Sequence, residues 1–136
     1  MPEPYFTLEE ANAALTELRP VAERMVDLQR SVADALERRV QVQSRIAGNG
    51  GGLGATEVAE LDAEIEQLGA AVAACVERIA ADGVQVKDAE LGLLDFPSLR
   101  DGREILLCWH VGEDEIEYWH GLEEGFAGRK PVDFVE

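Results

Sequence analysis

The sequence predicts an α+β protein: a long antiparallel helical hairpin, coiled-coil-like, followed by a small antiparallel β module. Three observations predict it. Apolar residues recur at alternating three- and four-residue spacings from Leu8 to Ile79. A glycine-rich stretch divides that run in two. From Val84 onward the hydrophobic period switches to two.

The first helix, expected over about residues 8–47, starts at Thr7-Leu8-Glu9-Glu10. This has the form of a capping box, in which the Thr7 hydroxyl accepts from the backbone N–H of Glu10 and the Glu10 carboxylate reaches back. Two acids in the first turn also suit the positive end of the helix dipole. Leu8, Ala11, Leu15, Leu18, Ala22 and Met25 make one stripe, which continues through Leu28, Val32, Leu36, Val40 and Ile46. Pro20 cannot donate to the Thr16 carbonyl, so a kink is expected near Leu18–Pro20.

Residues 48–54 hold five glycines in seven positions and read as a flexible connection. No strand precedes them and no Lys-Ser/Thr follows, so they lack the context of a phosphate-cradling loop. Thr56 is expected to cap a second helix, over about residues 56–82. Its Val58, Leu61, Ile65, Leu68, Val72, Cys75 and Ile79 form an unbroken 3-4 seam, and Gly83 provides the stop. A helix of this first kind is roughly 60 Å long. Two such helices alone bury one stripe each, so a homodimer with a four-helix arrangement is expected.

Residues 84–136 make the β module, expected to pack on the hairpin of residues 1–83. Val84 and Val86 alternate with polar residues in a short strand. Leu91–Phe96 is a second, ended by Pro97. Glu104–Val111 is the strongest, and Ile116–His120 follows a turn at residues 112–115. A four-residue connection would pair Val111 with Ile116, Trp109 with Tyr118 and Leu107 with His120. It would set Cys108 opposite Trp119 and His110 opposite Glu117, with His110 and His120 on opposite faces. The tail, residues 125–131, reads as a loop whose basic pair, Arg129-Lys130, is answered by Glu123-Glu124.

The net charge of −16 divides evenly, and no Lys/Arg cluster forms a stripe. No nucleic acid partner and no anionic membrane partner is therefore expected. No apolar run nears the ~18 residues that span a bilayer. The N-terminus lacks a basic and apolar leader, and Cys75 and Cys108 sit apart without a CxxC pair, so a cytoplasmic location is expected.

The β module concentrates the chemistry. Both tryptophans and both histidines lie between Trp109 and His120. Asp95, Arg103, Trp109, His120 and Arg129 are the candidate ligand-binding residues. Arginine would grip a small anion in a bidentate way and His120 would serve as acid or base. No metal or other cofactor is expected. Cys108 and His110, two apart on one strand face with Glu117 opposite, come nearest to a metal set. Cys108 as a nucleophile would have only His110 for a base.

Four segments carry a family resemblance: YFTLEEANA (Tyr5–Ala13) with LRP (Leu18–Pro20), GVQVKD (Gly83–Asp88), GLLDFPSLRDGREILLCW (Gly92–Trp109), and EDEIEYWHGLEEGFAGRKP (Glu113–Pro131). Together they resemble a bacterial family known as domain of unknown function 2203. The resemblance implies a helical hairpin with a β module, and it assigns no activity or catalytic residue. The expected function is a non-enzymatic interaction or scaffold protein that self-associates through its hairpin, its β module available to a protein partner. The alternative is a small anionic ligand-binding or catalytic module built on the Asp/Arg/His/Trp cluster.

Overall fold

A computed structural model describes residues 5–49 and 54–133. Helices α1 (Leu8–Asn49) and α2 (Gly54–Ala81) form the hairpin. A five-stranded antiparallel meander follows: β1 (Gln85–Asp88), β2 (Leu93–Arg100), β3 (Arg103–His110), β4 (Tyr118–Gly121) and β5 (Lys130–Pro131). A short 3-10 turn, Phe126–Gly128, precedes β5. The expected α+β class is what the structure shows.

The capping box forms in both directions. The Glu10 N–H donates to Thr7 Oγ1 at 3.0 Å, and the Thr7 N–H donates to Glu10 Oε1 at 2.9 Å. The helix then runs through Pro20 as one element. Thr16 and Pro20 both face solvent, where water can take the carbonyl that proline leaves unpaired. The second helix begins two residues before the expected Thr56 cap. Most of the glycine connection, residues 50–53, lies outside the described residues. Gly83 follows α2 at φ 84°, and its N–H donates to the Ala80 carbonyl.

The sheet lies against the first part of the hairpin. Ala11, Leu15, Leu18, Ala22 and Met25 of α1 meet Cys75 and Ile79 of α2 and Leu94, Phe96, Ile105, Leu107 and Trp109 of the sheet. Further along α1 the expected stripe is corrected. Ala35 and Val42 are buried, whereas Leu36 and Val40 are exposed. The core that includes the strands takes in no α1 residue beyond Leu28, so positions in phase with Leu18 and Ala22 lose their cover there.

Pro97 does not end its strand. The Pro97 carbonyl accepts from the Phe6 N–H at 2.7 Å, so this residue's backbone groups face the N-terminal segment rather than β3. A proline there costs no ladder bond. β5, inside the expected loop, was not anticipated.

The expected β3–β4 register is off by one. Leu107 pairs with Trp119, Cys108 with Tyr118, and Leu106 with His120. A one-residue slip turns every side chain of a strand to the other face. Tyr118 and His120 therefore leave the helix-facing side, and His110 and His120 share a face.

The turn into β2 contains a steric constraint. Gly92 has φ 66°, and a Cβ there would stand 2.4 Å from Val111 and 2.8 Å from Val26 side-chain carbons. Gly102, φ 79°, has open space around it. Alanine at either position bears the left-handed backbone cost of roughly 1–2 kcal/mol. In urea denaturation, Gly102→Ala should lose about that much, and Gly92→Ala distinctly more.

Candidate functional site

The outer face of the sheet, away from the helices, carries polar groups in an interior setting. Asp95 on β2 pairs directly with Cys108 on β3, and His120 lies one strand further on β4. All three are buried, exposed by 1%, 0% and 3%. One donor atom from each, a carboxylate oxygen, Sγ and a ring nitrogen, lies within 4.8 Å of the others.

His120 is held at both ring nitrogens. Nε2 is 3.0 Å from Asp95 Oδ1, and Nδ1 is 2.9 Å from the Gly121 carbonyl. Both partners carry acceptor oxygens, so the 3.0 Å contact between Nε2 and Oδ1 needs a proton on its line. Neither nitrogen is turned to Cys108. The three residues thus do not form a nucleophile–base–orienter relay, which needs one ring nitrogen on the thiol.

Burial pushes the Cys108 thiol up to about 12, and the neighbouring Asp95 carboxylate adds to the shift. The Arg129 guanidinium beside the thiol acts in the opposite sense and is outweighed. Cys108 is therefore a protonated thiol at neutral pH, with negligible nucleophilicity.

Arg129 roofs this face. Its Nη2 donates to Glu113 Oε1 at 2.6 Å and to the Cys108 carbonyl at 3.1 Å. The guanidinium carbon stands 4.3 Å from the Tyr118 ring centre and 4.8 Å from that of Phe126. Desolvation works against its charge, but hydrogen bonding to Glu113 outweighs that with other favourable contacts and the net shift is upward. Its Nε is buried without a hydrogen-bond partner.

The structure thus brings Asp95, His120 and Arg129 onto one face with Cys108. It separates the other two candidates from them. Trp109 points into the helix-facing core, where Nε1 donates to the Glu113 carbonyl at 2.9 Å. Arg103 is exposed at the β2–β3 turn, paired in register with Arg100. His110 shares the face of Cys108, but its Nδ1 contacts the Val111 carbonyl and its ring tilts against Phe126. It stays outside the buried cluster.

Glu113 and Asn12 were missed. The Glu113 carbonyl takes both Trp109 Nε1 and Arg19 Nη1, while its carboxylate takes the His110 N–H and Arg129. Asn12 Oδ1 accepts from the Ile116 N–H at 2.8 Å. Glu113 sits in a run of acids that reads as a solvated turn, and nothing local distinguishes it.

A hairpin bearing a five-stranded meander, with a polar cluster under the sheet's outer face, is the kind of protein these elements define. The model of a family described as an uncharacterized conserved protein, DUF2203, matches residues 4–132, and the chain belongs to that family. Comparison with curated proteins and with solved structures gave no match.

The folded state holds the Cys108 proton more tightly than the unfolded chain, whose thiol titrates near its ordinary value of 9.0. Stability should therefore be indifferent to this group below that value and decline as the pH climbs from there toward about 12. In chelating buffer, Cys108→Ser should flatten the alkaline limb of the denaturation midpoint relative to the parent. Peptide-mapped alkylation at neutral pH should leave Cys108 unmodified until the protein unfolds.

Proposed function

We propose that the protein is an interaction scaffold that self-associates through the far half of its hairpin, a second copy of the chain being the occupant. One observation carries this reading. Leu36 and Val40 stand about five helical turns beyond Leu18 and Ala22, so on a straight helix they continue the face that the sheet covers. Leu18 and Ala22 are fully buried, whereas Leu36 is 47% and Val40 62% exposed.

The same part of α1 carries its own cations. Residues 35–49 contain one acid, Glu37, against Arg38, Arg39 and Arg45, in a chain of net charge −16. The arginines are also held in place: Arg38, Arg39 and Arg45 pair with Glu64, Asp62 and Glu57 across the hairpin. Exposed pairs of this kind contribute little to stability.

The alternative of a small-anion site loses support, because Arg103 and Trp109 stand apart from Asp95 and His120. No described helix is long and apolar enough to cross a membrane.

Burying a Leu or Val side chain is worth roughly 1.5–3 kcal/mol. The double variant Leu36→Glu/Val40→Glu should therefore weaken self-association by ~100-fold or more. Sedimentation equilibrium should show a parent dimer and a variant monomer with unchanged helical circular dichroism. A monomeric parent, or a double variant that still dimerises, would refute the reading.

A further inference from the structure

We propose that Asp95, Cys108 and His120 form a three-ligand site for a divalent transition metal of the zinc class. The inference is independent of self-association, since the site lies on the sheet's outer face and the unpartnered stripe on α1.

The donor set comes first. One carboxylate oxygen, one sulfur and one imidazole nitrogen lie within 4.8 Å of one another. Zinc binds such donors at about 2.0–2.3 Å, so shifts of a fraction of an ångström to about one would bring all three into reach of one ion. A thiolate in the set selects against magnesium and calcium, which take hard oxygen ligands. The three residues come from three adjacent strands, β2, β3 and β4, so backbone pairing fixes their spacing before any ion arrives.

The orientation of His120 is the second point. Its Nδ1 faces the Gly121 carbonyl at 2.9 Å. A ligating histidine is typically held this way, with one ring N–H donated to a backbone carbonyl and the other nitrogen's lone pair aimed at the metal. Here Nε2 is aimed at Asp95 Oδ1. A lone pair confronting a carboxylate requires a cation between them. A proton meets that need within the 3.0 Å gap; zinc, about 2 Å from each ligand, takes its place only after the ring and the carboxylate turn their lone pairs toward a common point beside the gap.

Charge balance is the third. A dication with the Asp95 carboxylate, the Cys108 thiolate and a neutral His120 makes a neutral centre. Arg129 and Glu113 beside it neutralise each other. A neutral centre avoids the large cost of burying net charge. Binding releases the Cys108 thiol proton and the proton between His120 and Asp95 to solvent, so two positive charges leave as two arrive. No electrons move.

Three protein ligands leave a fourth position for water or an anion. The Arg129 side chain, whose Nε is buried without a hydrogen-bond partner, stands beside the Cys108 thiol.

The test uses untagged full-length protein, stripped and then titrated with Zn²⁺ or Co²⁺ alone. The proposal expects one ion per chain surviving dialysis. It expects an intense near-ultraviolet thiolate-to-cobalt absorption in the Co²⁺ form and a Zn²⁺-dependent rise in Tm. Cys108→Ser should abolish the band. His120→Ala and Asp95→Asn should each weaken zinc binding by more than the ~10–100-fold typical of an outer-shell change. Cys75→Ala should keep both band and stoichiometry. If the ligand variants fail to fold, X-ray absorption on zinc-loaded parent protein decides, by finding one sulfur among nitrogen and oxygen neighbours. Parent protein that retains no stoichiometric ion, lacks the cobalt band, or shows no sulfur in the zinc shell overturns the proposal. So does Cys108→Ser binding as tightly as the parent.

Discussion

The Glu113 loop locks the β3–β4 connection onto α1, and the outer-face cluster depends on that lock. The Glu113 carbonyl accepts from Trp109 Nε1 and Arg19, and the Asn12 side chain accepts from the Ile116 N–H. These contacts draw residues 111–117 onto the helix, and a tight four-residue turn does not form. The strand that returns is set one residue away from the tight-turn register, with Leu106 opposite His120. That one residue decides which face His120 occupies. Were the loop free to close tightly, His120 would point into the helix-facing core and Asp95 would lose its partner.

Both faces of the small sheet are consequently occupied, by opposite kinds of chemistry. Leu94, Phe96, Ile105, Leu107 and Trp109 give the inner face to apolar packing against the helices. The outer face holds Asp95, Cys108 and His120 beneath Arg129 and the turn at Phe126–Gly128. Burying polar groups is tolerable only when each has a partner. Asp95 and His120 supply one another, Gly121 completes the ring, and the Arg129–Glu113 pair closes the roof. Losing either member of that partly buried ion pair is costly, because the survivor has little water to turn to.

The two ends of the hairpin differ for a related reason. Near the sheet, α1 is covered on two sides, by α2 and by the strands. Beyond it only α2 remains, and the buried positions narrow to Ala35 and Val42 on α1 and Leu61 on α2. The apolar stripe on α1 continues past the sheet that covers it, which leaves Leu36 and Val40 in solvent.

Local signals in the sequence determined much of this protein. The Thr7–Glu10 capping box, the 3-4 seam of α2, the Gly83 stop and the inward alternation of Ile105, Leu107 and Trp109 each depend on neighbours within a few residues. Their physics, capping, helical periodicity and strand alternation, is written in spacing. Asp95, His120 and Arg129 were legible as unusual side chains close together in sequence, but their assembly with Cys108 was not. Tertiary structure decided the β3–β4 register, because its determinants, Asn12 and Arg19, lie roughly a hundred residues upstream of the strands they align. It also decided that Pro97 could stay inside a strand, since Phe6 rather than β3 meets its backbone. It set which stripe of α1 is covered, through where the sheet ends. Short-range pattern fixes what an element is, and contacts between segments distant in sequence fix which of its faces meet.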